Sequence, residues 1–398
     1  MVLLASLVLF AAALRLARLD IPSRMIFDEI YYAKAATQYL QRQEITEEIT
    51  HPPLSKLLIA AGIRLFGDRA LGWRIASATA GVLLVLVTFL LAWEVIRIPF
   101  AAVTAAFLVA VDGLPFVESR IAKPDIFLVL FLGASYWAFW QYLRRSRPGW
   151  LYLSGLAAGL AVSTKWTGIA PLATIPLYLG YLWGQGRWTP PRRWGWHFLI
   201  AYLVVPATVY AVTWIPYFLL GHSLRDLAQF HAFMFRFHST LTASHPYQSR
   251  WWSWPLLLRP IWYEFEEVQK GFFRGVLAIG NPAVWWVSLG ALAYLAREAL
   301  RRRDAVATFI VGGFLVSYLP YAFIGRALFL YHMLPALPFM AMAVAVAATR
   351  VRAALGETVP LLYLAVAAAW FVAYYPILAA LPIAADRFYR LMWFGTWL

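Results

Sequence analysis

Apolar runs near 20 residues recur from one end of this chain to the other, and they decide most of what it can fold into. A helix needs about 20 apolar residues to cross the ~30 Å hydrocarbon core of a bilayer. A soluble core could not hide so many runs of that length. Only 13% of the residues are charged, against roughly 25% in a soluble domain. We place eleven spans, at 2–19, 71–93, 99–116, 124–143, 150–164, 169–185, 196–219, 275–296, 305–324, 327–349 and 358–381. The first run, Met1 to Leu14, has no basic leader and no clear cleavage site, so it reads as a spanning helix rather than a signal peptide. No repeat or low-complexity linker breaks the chain. The expected fold is an all-α polytopic membrane protein, residues 1–398 forming one domain.

Charge orients it. Five short connections carry Arg97; Arg144, Arg145 and Arg147; Arg187, Arg192 and Arg193; Arg297, Arg301, Arg302 and Arg303; and Arg350 and Arg352. Only Glu94, Glu298, Asp304 and Glu357 accompany them. With eleven spans these connections share one side, and the excess of arginine makes that side cytoplasmic. The N-terminus is then inside and the C-terminus outside, in the plasma membrane. The net charge of +15 faces anionic headgroups rather than nucleic acid. With no cysteine there is no thiol chemistry.

Two long loops, about 20–70 and 220–274, fall on the outer side. In the first, Asp28 to Leu40 reads as an amphipathic helix with Ile30, Ala33, Thr37 and Leu40 on one face, lying at the interface. His51-Pro52-Pro53-Leu54 opens a second helix, since proline suits a first helical turn.

Three features point to chemistry on this side. Asp28-Glu29 offers a carboxylate that can act as a base on a hydroxyl, or simply a helix cap and a favourable first-turn charge. Arg15, Arg74, Arg120, Lys165 and Arg326 stand near the outer ends of spans. They either gather around a phosphate or snorkel to the interface. The segment from His245 through Tyr247, Arg250 and Trp251 to Arg259 and Tyr263 is too polar and proline-rich to span. Its rings suit either sugar stacking or an interfacial belt. The seven histidines are scattered without metal-ligand spacing, so no metal site is expected. No glycine-rich phosphate loop occurs, so a sugar donor has to arrive on a lipid.

Taken in order, Phe27-Asp28-Glu29, His51-Pro52-Pro53-Leu54-Ser55-Lys56-Leu57-Leu58, Trp73-Arg74-Ile75-Ala76-Ser77-Ala78, Ser119-Arg120 with Asp125, Ser163-Thr164-Lys165-Trp166-Thr167-Gly168, the loop His245 to Tyr263, and Tyr331 to Phe339 form a set. That set resembles the protein O-mannosyltransferases, GT-C glycosyltransferases that use polyprenyl-phosphate mannose. The resemblance runs from Arg15 to about Phe339. It implies eleven spans with a cytoplasmic N-terminus, Asp28 as catalytic base, Glu29 as an essential acid beside it, and Arg15 and Arg74 as required arginines. Arg120 and Asp125 match its second outer-loop motif, and no cofactor or metal is implied. Two departures stand out. Ile49 occupies a position where many members carry an acid, with Glu47 or Glu48 as substitutes. The second outer loop also leaves no room for the β-trefoil domain of eukaryotic members.

The expectation is an inverting transfer of mannose from a polyprenyl-phosphate carrier to Ser or Thr hydroxyls of exported polypeptides. Asp28 and Glu29 would serve catalysis. Arg15, Arg74, Arg120, Asp125, Lys165 and Arg326 would hold the donor phosphate or sugar, with Arg74, Lys165 and Arg326 facing the leaving group. His51, His245, Tyr247, Arg250, Trp251 and Arg259 would meet acceptor or sugar. A same-fold transferase acting on lipid A or a cell-wall glycan fits the same physics. A transporter fits poorly, because the ionisable residues crowd the outer span ends rather than mid-membrane.

Overall fold

The architecture follows from helices whose apolar surface is continuous and whose breaks fall at proline, glycine and buried carboxylates. The computed structural model describes residues 2–191 and 194–398; Met1, Arg192 and Arg193, the last two counted above among the inner-side arginines, lie outside the described residues. Helices occupy all eleven expected segments. They are α1 (Val2–Leu16), followed by the outer helices α2 (Glu29–Gln41) and α3 (Leu54–Phe66); then α4 (Ala70–Ile96), α5 (Pro99–Ala110), the short α6 (Gly113–Glu118), α7 (Asp125–Arg145), α8 (Pro148–Thr164) and α9 (Ala170–Gly184). A broken rod follows, made of α10 (Trp194–Leu199), a π-helical stretch (Ile200–Val204), α11 (Val205–Thr213) and α12 (Ile215–Leu219). The rest are α13 (Leu224–Thr240), α14 (Pro282–Arg302), α15 (Ala305–Tyr318), α16 (Leu337–Leu355), α17 (Thr358–Leu378) and α18 (Ala385–Leu391). Among the described residues six helical stretches are long and apolar enough to cross a membrane; Val2–Leu16 and Pro99–Ala110 are shorter apolar helices.

The bundle is built around α7 and α16, both largely buried. α7 packs between α4 and α8, and α16 between α5 and α14. Small residues allow close approach: a Cβ on Gly155 of α8 would stand 1.7 Å from the Ala201 carbonyl oxygen. Ser135, Ser154 and Tyr202 hydrogen-bond to one another across α7, α8 and the π-helical stretch.

Several boundaries differ from expectation, each for a local reason. α5 stops at Ala110 because Asp112 caps α6, accepting from Leu114 N, and also accepts from Asn281 N and Trp285 Nε1. The expected span at 275–296 starts seven residues late. Its first residues belong to β2 (Phe272–Ala278), which pairs with β1 (Ile261–Gln269) as an antiparallel hairpin turning at Lys270-Gly271. Gly271 has φ +75°, which suits such a tight turn. β3 (Ile383–Ala384) adds to β2, giving a three-stranded sheet that the all-α expectation omitted. The first outer helix exists, but its buried stripe is Glu29, Tyr32, Ala33, Ala35 and Ala36 rather than the face through Ile30, Thr37 and Leu40.

The arginine-rich connections touch one another. Arg144 donates to the Glu94 carbonyl, Arg187 to that of Arg303, and the Arg352 guanidinium lies over the Phe100 ring.

Candidate active site

Asp28 sits at the N-cap position of α2, yet its side chain makes no capping hydrogen bond. Phe27 before it has φ +48°, a left-handed conformation that a bulky residue adopts only at a cost of about 1–3 kcal/mol. Its ring stacks on Tyr263 of β1 at 4.3 Å, holding that conformation. The Asp28 carboxylate is one-third exposed. Burial pushes its pKa up; Lys123 opposes that and Asp125 adds to it.

The neighbouring Glu29 has a different fate. It is fully buried and binds the Arg74 guanidinium at two points, 2.9 Å from Nε to Oε1 and 2.7 Å from Nη2 to Oε2. It also accepts from Ile26 N and Ala122 N. Arg74 spends its remaining donors on the carbonyls of Leu19, Pro22 and Arg24. This pair braces the loop that carries Asp28; it does not face substrate.

Arg120 is likewise bound to the protein. Arg120 Nη1 donates to the carbonyls of Arg15 (2.9 Å) and Ala17 (2.7 Å), and Nη2 to that of Arg18 (2.8 Å), so it caps the C-terminal end of α1. Arg15 is fully enclosed against Gly81, one nitrogen reaching the Val109 carbonyl at 3.4 Å. Of the cations expected at the donor phosphate, Arg74 and Arg120 direct their donors to carboxylate and carbonyl groups of the protein, while Arg15 keeps Nε and Nη1 without a partner among the described residues.

The other expected cations do reach open space. Lys165 follows α8 directly and forms an ion pair with Asp125 Oδ1 at 2.9 Å. Arg326 has no hydrogen-bond or ion-pair partner among the described residues. Lys165 and Arg326 line a cavity of about 170 Å³ together with His51, Trp166, Thr167, His238 and Ile324. Arg326 also lines a cavity of about 710 Å³ walled by Arg250, Trp251 and Trp252. Ile324, Trp166 and Thr167 continue into a largely apolar groove of about 420 Å³ between Ala170 and Ala173 on one side and Val316 and Pro320 on the other. Two cations thus stand where polar and apolar cavities meet.

His51 and His238 close the small cavity. His238 Nε2 bonds the Thr50 carbonyl at 2.7 Å, tying α13 to the first outer loop. The rings of His51 and His238 lie 5.0 Å apart. Glu48, weighed above as a substitute acid, faces inward: it binds Lys56 Nζ at 2.6 Å and also approaches His51 Nδ1 at 3.2 Å. Burial raises the Glu48 carboxyl, but Lys56 and His51 more than offset this and hold it well below the usual range. Glu48 and Lys56 thus fix the loop around His51 rather than receive an acceptor.

The aromatic segment divides. Arg250 and Trp251 are on the wall of the large cavity. His245 packs edge-on to Phe27 and accepts from Tyr247 N. The Arg259 guanidinium covers the Tyr247 ring and donates to the carbonyls of Thr396 and Pro246, so these two lock the segment in place.

Sequence reasoning passed over Lys123, Glu118, Tyr263 and Tyr331 as site residues. Lys123 Nζ is buried 4.0 Å from Asp28 Oδ2, 3.3 Å from Glu118 Oε1 and 3.6 Å from Asp125 Oδ2. It donates to Tyr263 Oη at 3.1 Å and lies 3.6 Å from the Tyr331 ring centroid. The signal available was a lysine and an aspartate two residues apart in a short connection between apolar helices. Upstream, Arg24 pairs with Glu264 at 2.7 Å and Glu266 at 2.6 Å of β1, so the hairpin clamps the loop leading to Asp28.

This geometry is a carboxylate free to accept a proton, joined through Lys123 and Asp125 to Lys165 at the cavity. Comparison with known proteins agrees with it. The family model described as dolichyl-phosphate-mannose-protein mannosyltransferase matches residues 5–73 and 68–221, and the C-terminal four TMM region of protein-O-mannosyltransferase matches 223–397. The polyprenol-phosphate-mannose–protein mannosyltransferase of Mycolicibacterium smegmatis is 28% identical over 454 residues, covering 94% of this chain and 87% of the relative. That of Mycobacterium tuberculosis is 27% identical, covering 94% and 86%. Among solved structures, the Saccharomyces cerevisiae protein O-mannosyltransferase Pmt1-Pmt2 complex bound to the sugar donor superimposes with TM-score 0.89 at 16% identity, over 100% of this chain and 92% of that one. ArnT from Cupriavidus metallidurans bound to undecaprenyl phosphate gives 0.63 at 18% identity, over 87% and 60%. The fold is that of these membrane glycosyltransferases, and the chain belongs to the dolichyl-phosphate-mannose-protein mannosyltransferase family.

Proposed function

We propose that this multi-pass membrane enzyme transfers mannose, with inversion, from a polyprenyl-phosphate carrier to Ser or Thr hydroxyls of exported polypeptides. The observation that carries the reading is the ionic chain from Asp28 through Lys123 and Asp125 to Lys165, which with Arg326 lines a cavity bordering an apolar groove. The curated mycobacterial relatives, named for that donor and for a protein acceptor, support it.

In this mechanism Asp28 takes the proton of the acceptor hydroxyl as its oxygen attacks the anomeric carbon. The bond from that carbon to the phosphate oxygen breaks on the opposite face, which inverts the centre. The electron pair leaves on polyprenyl phosphate, a stable anion, so no strong general acid is needed. Negative charge grows on the phosphate, where Lys165 and Arg326 meet it in a partly dry site. The prenyl chain lies along the apolar groove. Arg250 and Trp251 border the larger cavity, which suits an extended peptide. The excess of arginine in the short connections supports an orientation with the opposite end in the cytoplasm and the site facing outward from the plasma membrane.

The test is to supply membranes containing the enzyme with polyprenyl phosphate bearing labelled mannose. Label on polypeptide, released by mild alkali as expected of an O-linked sugar, supports the reading. Label on lipid A or cell-wall glycan alone would redirect it to the other acceptor class.

A further inference from the structure

The buried lysine between Asp28 and the second outer loop serves no purpose in the transfer as described above. A lone buried ammonium is costly, and such a group persists only where it is fully paired. Lys123 Nζ is buried within 4.0 Å of three carboxylates, those of Asp28, Glu118 and Asp125. Its other faces are closed by Tyr263 Oη at 3.1 Å and by the rings of Phe27, Tyr263 and Tyr331, whose centroids lie 5.3, 4.9 and 3.6 Å away. Glu118 and Asp125 are anchored elsewhere as well, Glu118 by the Tyr263 hydroxyl and Asp125 by Lys165. The Asp28 carboxylate has no hydrogen-bond partner among the described residues, and Lys123 is the cation it pairs with.

We propose that Lys123 is a positioning residue for the reaction: from inside the fold it orients the Asp28 carboxylate and keeps it ionised, and so sets the pH range in which the base works. The proposal rests on the reading of Asp28 as base. The groups that face this carboxylate are Lys123, Asp125, Lys165 and His51, with Glu118, Tyr263 and Tyr331 around the lysine and His332 beside Asp125. Burial and Asp125 push the Asp28 pKa up, and Lys123 is the largest influence opposing them. An opposite charge within ~4–6 Å typically lowers a carboxylate pKa by about 1–3 units. Asp125 in turn bridges Lys123 to Lys165, 3.6 and 2.9 Å from its two oxygens, so the same carboxylate spaces the cation behind the base from the cation at the cavity.

The experiment is the pH profile of kcat/KM for purified Lys123→Met and Lys123→Arg, using polyprenyl-phosphate mannose and a Ser/Thr peptide. A base must be ionised to act, so removing the cation moves the acid limb of the profile upward, by about 1–3 pH units. Lys123→Arg, which keeps the charge, leaves that limb where the wild type has it. If Lys123→Met does not fold, Lys123→Met combined with Glu118→Gln removes one buried charge of each sign, and the upward shift is expected there. A limb that stays in place while activity falls equally at every pH would make Lys123 a packing residue and overturn the proposal. A wild-type rate in Asp28→Asn would instead remove the base on which it rests.

Discussion

Glu29 and Arg74 form a two-point ion pair sealed inside the protein, while the preceding residue, Asp28, holds its carboxylate open. Adjacent acids in one dipeptide thus do opposite work. One fixes the loop between α1 and α2; the other is left free by that fixation.

Breaking this pair is expected to unfold as well as inactivate. Removing one partner of a buried ion pair costs roughly 3–5 kcal/mol. Glu29→Gln and Arg74→Met should both melt well below the wild type in detergent and lose activity in parallel. Arg74→Lys should not rescue, since one ammonium cannot reproduce a bidentate contact together with bonds to three carbonyls. Thermal melting of the purified variants checks this, and an unchanged melting temperature would contradict it.

Arg326 should behave in the reverse way. With no partner inside the described protein, its loss removes no internal contact. A charge-assisted hydrogen bond to a phosphate is worth about 1.5–3 kcal/mol, or roughly 10- to 150-fold in kcat/KM. Arg326→Ala should lose that much at an unchanged melting temperature, and Lys165→Met should lose activity together with some stability because Asp125 is left short of a cation. Steady-state kinetics and melting on the same preparations separate the two cases.

The pH dependence follows from Asp28. Burial, with Asp125 adding and Lys123 opposing, places its pKa above the ordinary carboxylate value of about 3.9. The ionised form is the active one, so activity should fall as the pH drops through this raised value. The folded state binds the proton more tightly than the unfolded chain does, so ionising Asp28 costs stability at neutral pH. Asp28→Asn should accordingly melt at the same temperature as the wild type or slightly higher at pH 7, and the gap should close in acid.

Much of this fold was legible because bilayer-length apolar runs have few alternatives. The hairpin was not. Ile261–Gln269 alternates only in part and merges with the tryptophan-rich segment before it, while Phe272–Ala278 is apolar enough to pass for the start of a span. Lys165 and Arg326 stood out from their position near span ends, and Asp28 and His51 from the polar loop that carries them. What could not be read was the division of labour: an arginine bound to buried carbonyls and one open to a cavity look alike in sequence. Lys123 escaped because its meaning comes from Asp28 and Glu118, which reach it only through tertiary packing.

The most direct measurement is the single-turnover rate of mannose transfer from polyprenyl phosphate by purified Asp28→Asn. General-base catalysis is typically worth 10²–10⁴-fold. The account expects a loss of about that size or larger, in a protein that melts no lower than the wild type. A variant that transfers mannose as fast as the wild type would contradict it.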